Sequence, residues 1–513
     1  MAAQVWRAWD GRRLEWDGAA AHAAAEIDLC IDGVVFERTR RDAPYAQFDF
    51  APSGCAELEF SLRAGTELLG APWRVLHGTP AAPGVDQWQG PVHAMQPLPP
   101  APAAPRDSGA ARTAIVVPIY NSPQLVQRCI AAVLRWTRAP ARLILIDDAS
   151  PDAGIGALLA RYDGAEHILV RRNERNLGYT RSSNLGIELA AADDVVLLNS
   201  DTEVGPCWLQ ALRAVAGADA GIGTVTAVSD NAGAFSVPEL EQYCPIPERW
   251  TLPQAQRALL HHAGGCVPEL PTGNGFCMFV KRRMFERVGV LDAAAFPSGY
   301  GEENDLCQRA ERAGFRHAIA GNVLVRHARS ASFGEARRLE LGAQGMAVLR
   351  ARYPDYEAKV GATLFGFTRR VLDYRVRRIY ADRDHRYAAL PPRPRVLLTR
   401  GAQVFAAALR GSFDCRSLHD GDLHVDALRD QLQRRAIEFV HLHGDAEALA
   451  APLRAAARGA GVALVDSTHD ALLGEPASAL LPAARVAAQC LTLYRDAWRA
   501  SAAFAPLCDG EFG

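Results

Sequence analysis

Val195-Val196-Leu197-Leu198-Asn199-Ser200-Asp201 is a run of four apolar residues followed directly by three polar ones. A short apolar run bounded by turn residues is typical of a strand buried in a parallel sheet. Oxygen-bearing side chains at the end of such a strand suit a magnesium or manganese ion. Such an ion takes one or two protein carboxylates and shares its other positions with water and phosphate. The stretch therefore predicts a buried strand with a cation site at its carboxyl end.

Two apolar segments upstream, residues 114–119 (AIVVPI) and 143–146 (LILI), also end in polar residues. Ligands of open α/β sheets bind beyond the carboxyl ends of the strands. Three such strand ends in sequence order therefore predict a crevice for a nucleotide diphosphate.

The composition, 49% hydrophobic and 22% charged residues in a chain of 513, predicts a globular protein of about two to four domains. A formal net charge of −2 gives no global indication of nucleic-acid binding. No apolar stretch reaches the roughly 20 residues that span a bilayer, and the first residues lack the pattern of a signal peptide. Eleven cysteines without C-x-x-C pairs predict single buried thiols in a reducing compartment. We therefore expect a cytoplasmic protein.

The organisation along the chain predicts several units. Alternating segments with regular turns in residues 1–95 predict a small antiparallel, sandwich-like β domain, and the prolines of 96–111 predict an extended linker. Strands alternate with helical segments over 112–345, as in a mostly parallel sheet flanked by helices. Residues 346–390 are helical and arginine-rich, which favours a solvated helix face, with contact to anionic lipid of the inner membrane as the alternative.

Residues 391–513 begin with a second proline linker and contain three apolar segments, at 395–399, 439–443 and 463–467. Helical segments separate them, so this part predicts a Rossmann-like α/β unit. It contains no GxGxxG or Walker loop, and we expect it to be degenerate.

Asp148 follows the second apolar segment and precedes a turn-rich stretch. Its carboxylate is suited to accept the imide N–H of a nucleotide base, and the alternative is that it caps the following helix. Residues 176–186 then form a glycine-containing turn that enters a helix. A diphosphate would suit its N–H groups and helix N-terminus, with Arg181 adding charge.

Three acids, Glu302, Glu303 and Asp305, lie where a glycine-rich loop feeds a helix. The helix dipole favours acids there, so one of them is explained by capping, but three exceed that need. His327 ends a later apolar segment and is either structural or a metal ligand, because a neutral imidazole binds divalent metals.

With these motifs assembled, residues 112–335 resemble the inverting glycosyltransferases of family 2, which have the GT-A fold; bacterial rhamnosyltransferase-like enzymes of surface-polysaccharide assembly are the most similar. The motifs are VPIYN at 117–121, IDDAS at 146–150, NLG at 176–178, LNSDT at 198–202, GYGEEND at 299–305, and His327. Residues 395–505 resemble a truncated N-terminal half of a GT-B enzyme.

The resemblance implies roles for these residues. Asp148 would bind the base, and Asp201, helped by Asn199 in place of the usual first Asp, would hold a divalent cation (Mn or Mg) with His327. Glu303 would be the catalytic base at a position where the family usually has Asp, with Glu302 adjacent. The remaining expected substrate-binding residues are Pro118, Tyr120, Asn121, Asn176, Gly178, Arg181, Asn184, Gly273, Asn274 and Asp305.

The expected reaction moves a sugar from a nucleotide-diphosphate donor to a hydroxyl of a glycan or lipid-linked glycan, with inversion, in bacterial O-antigen, capsule or other surface-polysaccharide synthesis. The acceptor would lie between residues 272–275 and the Glu303 loop. Two alternatives stay open: a sugar-nucleotide hydrolase or nucleotidyltransferase, and a non-catalytic scaffold that binds glycan. We expect no nucleic-acid partner.

Overall fold

The computed structural model describes two parts of the chain. Eight strands are described between residues 6 and 76. The second part comprises residues 112–263, 266–329, 335–364, 366–381, 394–410, 412–418, 424–434, 437–474 and 482–501. Both predicted proline linkers lie mostly outside the described residues.

The N-terminal strands are all paired antiparallel. They form one sheet of order β1-β2-β5 and another of order β4-β3-β6-β7, with β8 also on β6. Their bounds are β1 Trp6–Trp9, β2 Arg13–Trp16, β3 Glu26–Ile31, β4 Val34–Arg40, β5 Tyr45–Gln47, β6 Glu57–Ala64, β7 Glu67–Leu68 and β8 Trp73–Leu76.

The central sheet has eight strands in the order β11-β10-β9-β12-β15-β14-β16-β13. Strands β9 to β12 run parallel, β14 pairs parallel with β16, and β15 and β13 run antiparallel to their neighbours. The bounds are β9 Thr113–Ile119, β10 Ala141–Asp147, β11 Ile168–Arg172, β12 Asp194–Leu198, β13 Thr202–Glu203, β14 Ile222–Ser229, β15 Cys277–Val280 and β16 Arg316–His327.

Ten helices accompany this sheet in the described residues. They are α1 Pro123–Trp136, α2 Ala153–Leu159, α3 Tyr179–Leu189, α4 Trp208–Ala218, α5 Leu252–His262, α6 Arg282–Val288, α7 Glu302–Arg312, α8 Glu335–Arg352, α9 Tyr356–Leu364 and α10 Phe367–Ala381. None of them, nor any other helix in the part of the chain that the structure describes, is long and apolar enough to cross a membrane.

The apolar runs predicted as strands are buried on both faces of the sheet. In β9, Ile115 and Val117 join the core on one face, and Val116 joins the core on the other. Helix α3 packs closely over β9 because of Gly186, where an added Cβ would lie 2.1 Å from a methyl carbon of Val116. The predicted α/β core is confirmed.

Helix α10 corrects the expectation of a solvated arginine-rich face. Its residues Val371, Leu372 and Val376 belong to the core of the central sheet, and Arg369 is 2% exposed. The exposed Arg377 follows the prediction, since it pairs with Glu239 at the surface. Because the helix lies on the core, one of its sides is necessarily turned inward.

The C-terminal unit is a parallel sheet of order β18-β17-β19-β20. Its strands are β17 Arg395–Leu398, β18 Asp414–Ser417, β19 Phe439–Leu442 and β20 Ala463–Asp466, and its helices are α11 Ala406–Leu409, α12 Val425–Arg434, α13 Glu447–Ala460 and α14 Ala483–Ser501. The three predicted strands are present. Sequence analysis missed β18 because this edge strand, DCRS, has no apolar run.

The C-terminal unit packs against the amino end of the central sheet. Trp136, which precedes β10, meets Trp498 edge to face at 6.4 Å between ring centroids. Arg257 of α5 pairs with Glu438 at 2.5 Å, with side-chain exposures of 14% and 3%. The interface therefore contains a buried ion pair.

Replacing Arg257 by Ala should destabilise the protein by about 3–5 kcal/mol, because Glu438 would stay buried without its cation. Urea unfolding monitored by tryptophan fluorescence measures this. Arg350→Ala, which removes an exposed pair with Glu357, is the control and should not shift the midpoint. Equal shifts in the two variants would contradict a special role for the buried pair.

Candidate active site

The candidate site lies at the carboxyl ends of β9, β10 and β12, where the chain leaves each strand with polar residues. Backbone geometry marks two of these exits: Asn121 after β9 has φ 61°, and Ala149 after β10 has φ 56°. The Asn121 N–H donates to Ser150 Oγ at 2.9 Å, which ties the exit of β9 to that of β10. Tyr120 beside it is 36% exposed, and Pro118 is buried within β9.

Asp148 holds the turn that precedes α3. Its Oδ1 accepts from Asn173 Nδ2 and from the Leu177 N–H, both at 2.8 Å, and its Oδ2 accepts from the Gly178 N–H at 2.9 Å. The helix-cap alternative is wrong, because Asp152 caps α2. A carboxylate offers about four acceptor positions, and the described hydrogen bonds use three of those of Asp148, which is 4% exposed.

The turn at 176–178 also reaches the loop before α7. Asn176 Oδ1 accepts from the Gly178 N–H at 3.0 Å. A Cβ added at Gly178 would lie 2.5 Å from the Pro297 carbonyl oxygen. Only glycine suits both this contact and the positive φ of 84°, so the turn and the loop before α7 line the crevice together.

The three residues predicted to hold a cation are close together. His327 Nε2 lies 3.3 Å from Asp201 Oδ1 and 3.5 Å from Asn199 Nδ2. His327 Nδ1 lies 2.9 Å from the Asn231 carbonyl oxygen. Because a carbonyl only accepts, Nδ1 carries a proton, and Nε2 is the ring nitrogen that faces Asp201. A metal-ligating histidine commonly has this arrangement.

The donor set fits a cation that is shared with a ligand. Within the described residues, no three His, Cys, Asp or Glu side chains converge as a complete metal cage. Asp201 and His327 supply one carboxylate oxygen and one ring nitrogen, and Asn199 adds an amide. A magnesium-like ion bound through one or two carboxylates and substrate phosphates needs no more from the protein.

The two adjacent glutamates occupy different environments. Glu303 is half-buried, and its Oε1 accepts from the Gly275 N–H at 2.9 Å. Glu302 is 2% exposed and accepts from the Gly301 N–H at 3.0 Å. Burial, together with the charge of Glu303, raises the pKa of Glu302 well above its usual range. Of the two, Glu303 is therefore the more accessible glutamate.

Gly275 separates Glu303 from Tyr179, which sequence analysis did not select. A Cβ added there would lie 2.5 Å from the Tyr179 hydroxyl and 2.9 Å from Glu303 Oε1. Burial and the charge of Glu303 raise the pKa of Tyr179 well above its usual range. Tyr179 begins α3 directly after Gly178, and this position was the only signal in the sequence.

Gly275→Ala should therefore lower turnover at least tenfold, because the new methyl group displaces Glu303 or Tyr179 from its place. A steady-state assay of nucleotide release measures it. Gly156→Ala is the matched control, since a Cβ there meets nothing within 4 Å. Equal turnover in both variants would mean that the crowding at Gly275 has no bearing on the chemistry.

Gly273 and Asn274 lie beside this position. The Asn274 N–H donates to Thr226 Oγ1 at 3.3 Å, and its Oδ1 accepts from the Phe276 N–H at 3.1 Å. A Cβ at Gly273 would lie 2.3 Å from Met278 Sδ. The segment is thus held against β14 and β15, next to Glu303.

Three predicted substrate-binding residues point elsewhere. Arg181 lines a separate pocket of about 460 Å³ on the outer side of α3. Asn184 lines it too and exchanges two hydrogen bonds with the backbone of Leu291. Asp305 is fully buried and is bound by Arg309, Arg352 and Tyr353. The structure does not bring these three residues into the crevice.

The strand ends of the C-terminal unit are filled by their own side chains. Ser467 Oγ lies 2.8 Å from His441 Nε2 and 2.9 Å from His443 Nδ1, and Asp445 accepts from Thr399. A Cβ at Gly401 would lie 1.6 Å from the His443 carbonyl oxygen. In the described residues, the side chains at these strand ends, where a doubly wound sheet binds ligands, therefore bond to one another.

Comparison with known proteins finds similarity over part of the chain. Residues 114–289 match the family model "Glycosyl transferase family 2". The uncharacterized glycosyltransferase YibD of Escherichia coli is 27% identical over 106 residues, which is 20% of this chain and 30% of that protein. The undecaprenyl-phosphate 4-deoxy-4-formamido-L-arabinose transferase of Pectobacterium carotovorum is 33% identical over 97 residues, 18% and 29% of the two chains.

Among solved structures, a mannosyltransferase of Pyrobaculum calidifontis in complex with GDP-Man and Mn2+ aligns at a TM-score of 0.36 and 17% identity, over 57% of this chain and 81% of that one. The chain spans less than a third of the length of the two curated relatives named above. The family match includes β9, β10 and β12 with Asp148, Asn199 and Asp201, whereas Glu303 and His327 lie beyond its end. Residues 114–289, which contain most of the central sheet, are therefore similar to glycosyl transferase family 2.

Proposed function

We propose that the protein transfers a sugar from a nucleotide-diphosphate sugar to a hydroxyl group of a glycan acceptor, with inversion at the anomeric carbon. The observation that carries the proposal is the meeting of Asn199, Asp201 and His327 at the exit of β12. The carboxylate of Glu303 accepts from the Gly275 N–H. Gly275 precedes Phe276, whose carbonyl oxygen accepts from the Asn199 N–H. The first group suits a diphosphate with its cation, and the Glu303 carboxylate suits an acceptor hydroxyl.

In the proposed reaction, Glu303 accepts the proton of the acceptor hydroxyl. The acceptor oxygen then forms a bond to the anomeric carbon, and the bond from that carbon to the diphosphate oxygen breaks. The nucleoside diphosphate leaves with the bonding electrons. Attack opposite the leaving group inverts the anomeric configuration.

Asp201 and His327, with Asn199, would hold a divalent cation, Mn or Mg, which when bound supplies charge neutralisation for the departing diphosphate. Asp148 would accept a base N–H at its remaining acceptor position. The Gly178 turn, Tyr120 and Asn121 border the space for the donor. Gly273 and Asn274 flank Glu303 and would border the acceptor.

We propose that the acceptor is a glycan or a lipid-linked glycan of bacterial surface-polysaccharide synthesis. The Pectobacterium relative is named an undecaprenyl-phosphate transferase, which supports including a lipid-linked acceptor in assays. We propose a cytoplasmic location with peripheral contact to the inner membrane, where such an acceptor would be met. No catalytic part is proposed for the C-terminal unit, because the side chains at its described strand ends bond to one another.

The test begins with a thermal-shift screen of UDP-, dTDP- and GDP-sugars with Mn2+, because a ligand that binds the native state raises its apparent stability. Nucleotide release from the best donor is then measured with and without acceptor glycans. A transferase gives release that depends on acceptor and cation. Acceptor-independent release would indicate a hydrolase, and binding without release would indicate a scaffold.

A further inference from the structure

Arg369 of α10 is a buried cation. In sequence it lies far beyond the strand exits that form the candidate site. Its Nε and Nη2 donate to the Asp373 carboxylate at 3.1 and 3.0 Å. Its Nη1 donates to the Ala234 carbonyl oxygen at 2.5 Å, and Nη2 also donates to the carbonyl oxygen of Ser236. The guanidinium therefore joins α10 to residues 230–236, here called the β14 loop because they follow that strand.

The β14 loop determines where His327 lies. Asp230 Oδ1 accepts from the His327 backbone N–H at 2.9 Å, and the Asn231 carbonyl oxygen faces Nδ1 of the ring at 2.9 Å. Phe235 packs on Phe276 at 6.5 Å between centroids, and Phe276 stacks on the His327 ring at 5.4 Å and 16°. The loop, or a residue packed on it, thus contacts the backbone, a ring nitrogen and the ring face of His327, in addition to the pairing of His327 with β13.

The loop depends on Arg369 in turn. Ser236 is fully buried, and a buried carbonyl left without a donor costs free energy comparable to a lost hydrogen bond. Without the guanidinium, the carbonyl oxygens of Ala234 and Ser236 would lose this donor. A rearrangement that gave them new donors would also move Asp230 and Asn231, because these residues lie in the same short loop.

We propose that Arg369 is a positioning residue for the cation site: it fixes the β14 loop, which holds the His327 ring with Nε2 toward Asp201. This inference rests on the proposed function, which assigns the cation to Asp201 and His327. Loss of an outer partner of a metal-ligating histidine typically costs about 10–100-fold in metal affinity. The helical extension would thereby be part of the active unit.

The test removes the guanidinium without leaving a buried unpaired charge. In Arg369→Met/Asp373→Leu, apolar groups of similar volume replace the ion pair, a change that is often neutral for stability. The matched control is Arg257→Met/Glu438→Leu, which removes another buried pair, one with no contact to the β14 loop among its described hydrogen bonds. Arg369→Lys keeps the charge but lacks the forked donors and serves if the double variant does not fold.

Binding of Mn2+, alone and with UDP, is followed by electron paramagnetic resonance. The Arg369 variants should bind Mn2+ roughly 10–100-fold more weakly than the wild type, and the control should bind within about twofold of it. Unchanged affinity in folded Arg369 variants would overturn the inference. So would an equal loss in the control, because it would reveal a general effect of stability.

A second readout does not depend on the metal. In nitrogen-15 spectra of histidine-labelled protein, with the signal assigned by His327→Gln, the wild type should show one tautomer with the proton on Nδ1. The Arg369 variants should show broadened or mixed signals. If the wild type does not bind Mn2+, the cation assignment of the proposed function fails. The nitrogen-15 spectrum is then the only test of the positioning role of Arg369. An unchanged His327 signal in the Arg369 variants would then overturn the positioning role.

Discussion

Glu303→Gln should lower the rate of glycosyl transfer by about two to four orders of magnitude, the usual contribution of a general base. The amide retains the oxygen that accepts from the Gly275 N–H, so the side chain can keep its place. It loses the ability to take a proton from the acceptor. Single-turnover transfer measures the loss, and titration of the donor should give a nearly unchanged affinity.

Glu302→Gln is the matched control for this variant. Burial raises the pKa of Glu302 well above its usual range, which shifts the carboxyl group toward the neutral form that an amide resembles in shape and charge. Transfer should therefore change by only a few-fold. If Glu302→Gln abolished transfer and Glu303→Gln left it intact, the base would be the other glutamate. Full activity in both would remove this loop from the mechanism.

Asp201→Ala should abolish the effect of Mn2+ on donor binding. It removes the carboxylate nearest to His327 Nε2, and we expect a loss of more than about 100-fold in cation affinity, since even outer-shell partners contribute 10–100-fold. Isothermal titration of the donor with and without Mn2+ measures it. The fold should survive, because the residue lies at a strand exit with a side chain that is 13% exposed.

Glu203→Gln gives the comparison for Asp201. Glu203 lies two residues further along the same segment and faces Arg326 at 3.8 Å. Its substitution should leave the metal dependence intact. If Asp201→Ala bound donor with the metal dependence of the wild type, the cation would have to be assigned to other residues.

The parts of the site that sequence analysis located are those that follow buried strands. Residues 195–198 are apolar because both faces of β12 are covered, and this burial is visible in the sequence. The end of such a strand then locates Asn199 and Asp201 at the carboxyl edge. The pairing with His327 followed from the family resemblance, because 126 residues separate the two ligands in sequence.

Helix faces were harder to assign. Arg181, Asn184 and Glu188 are spaced by three and four residues, so they share one face of α3, and that face turns away from the crevice toward a separate pocket. Spacing reveals that the three belong together but not which way they point. The same holds for Arg369, whose burial depends on two carbonyl groups that lie more than 130 residues away in the chain.

Asn231 shows a further limit of sequence analysis. It contacts His327 through its backbone carbonyl, and every residue type carries that group. The identity of the side chain at position 231 therefore could not have predicted the contact. Contacts of this kind become visible only when the turn that follows β14 is known.

The docking of the C-terminal unit at Trp136 and Arg257 has a practical consequence for handling the enzyme. Trp136 lies at the amino end of the sheet, whereas the strand exits with Asp201 and Glu303 lie at the carboxyl end. A bead, sensor chip or nanodisc scaffold coupled to the exposed surface of that unit would leave the crevice directed toward the bulk solution. Immobilised protein should thus still bind the donor and the bulky acceptor of the proposed function.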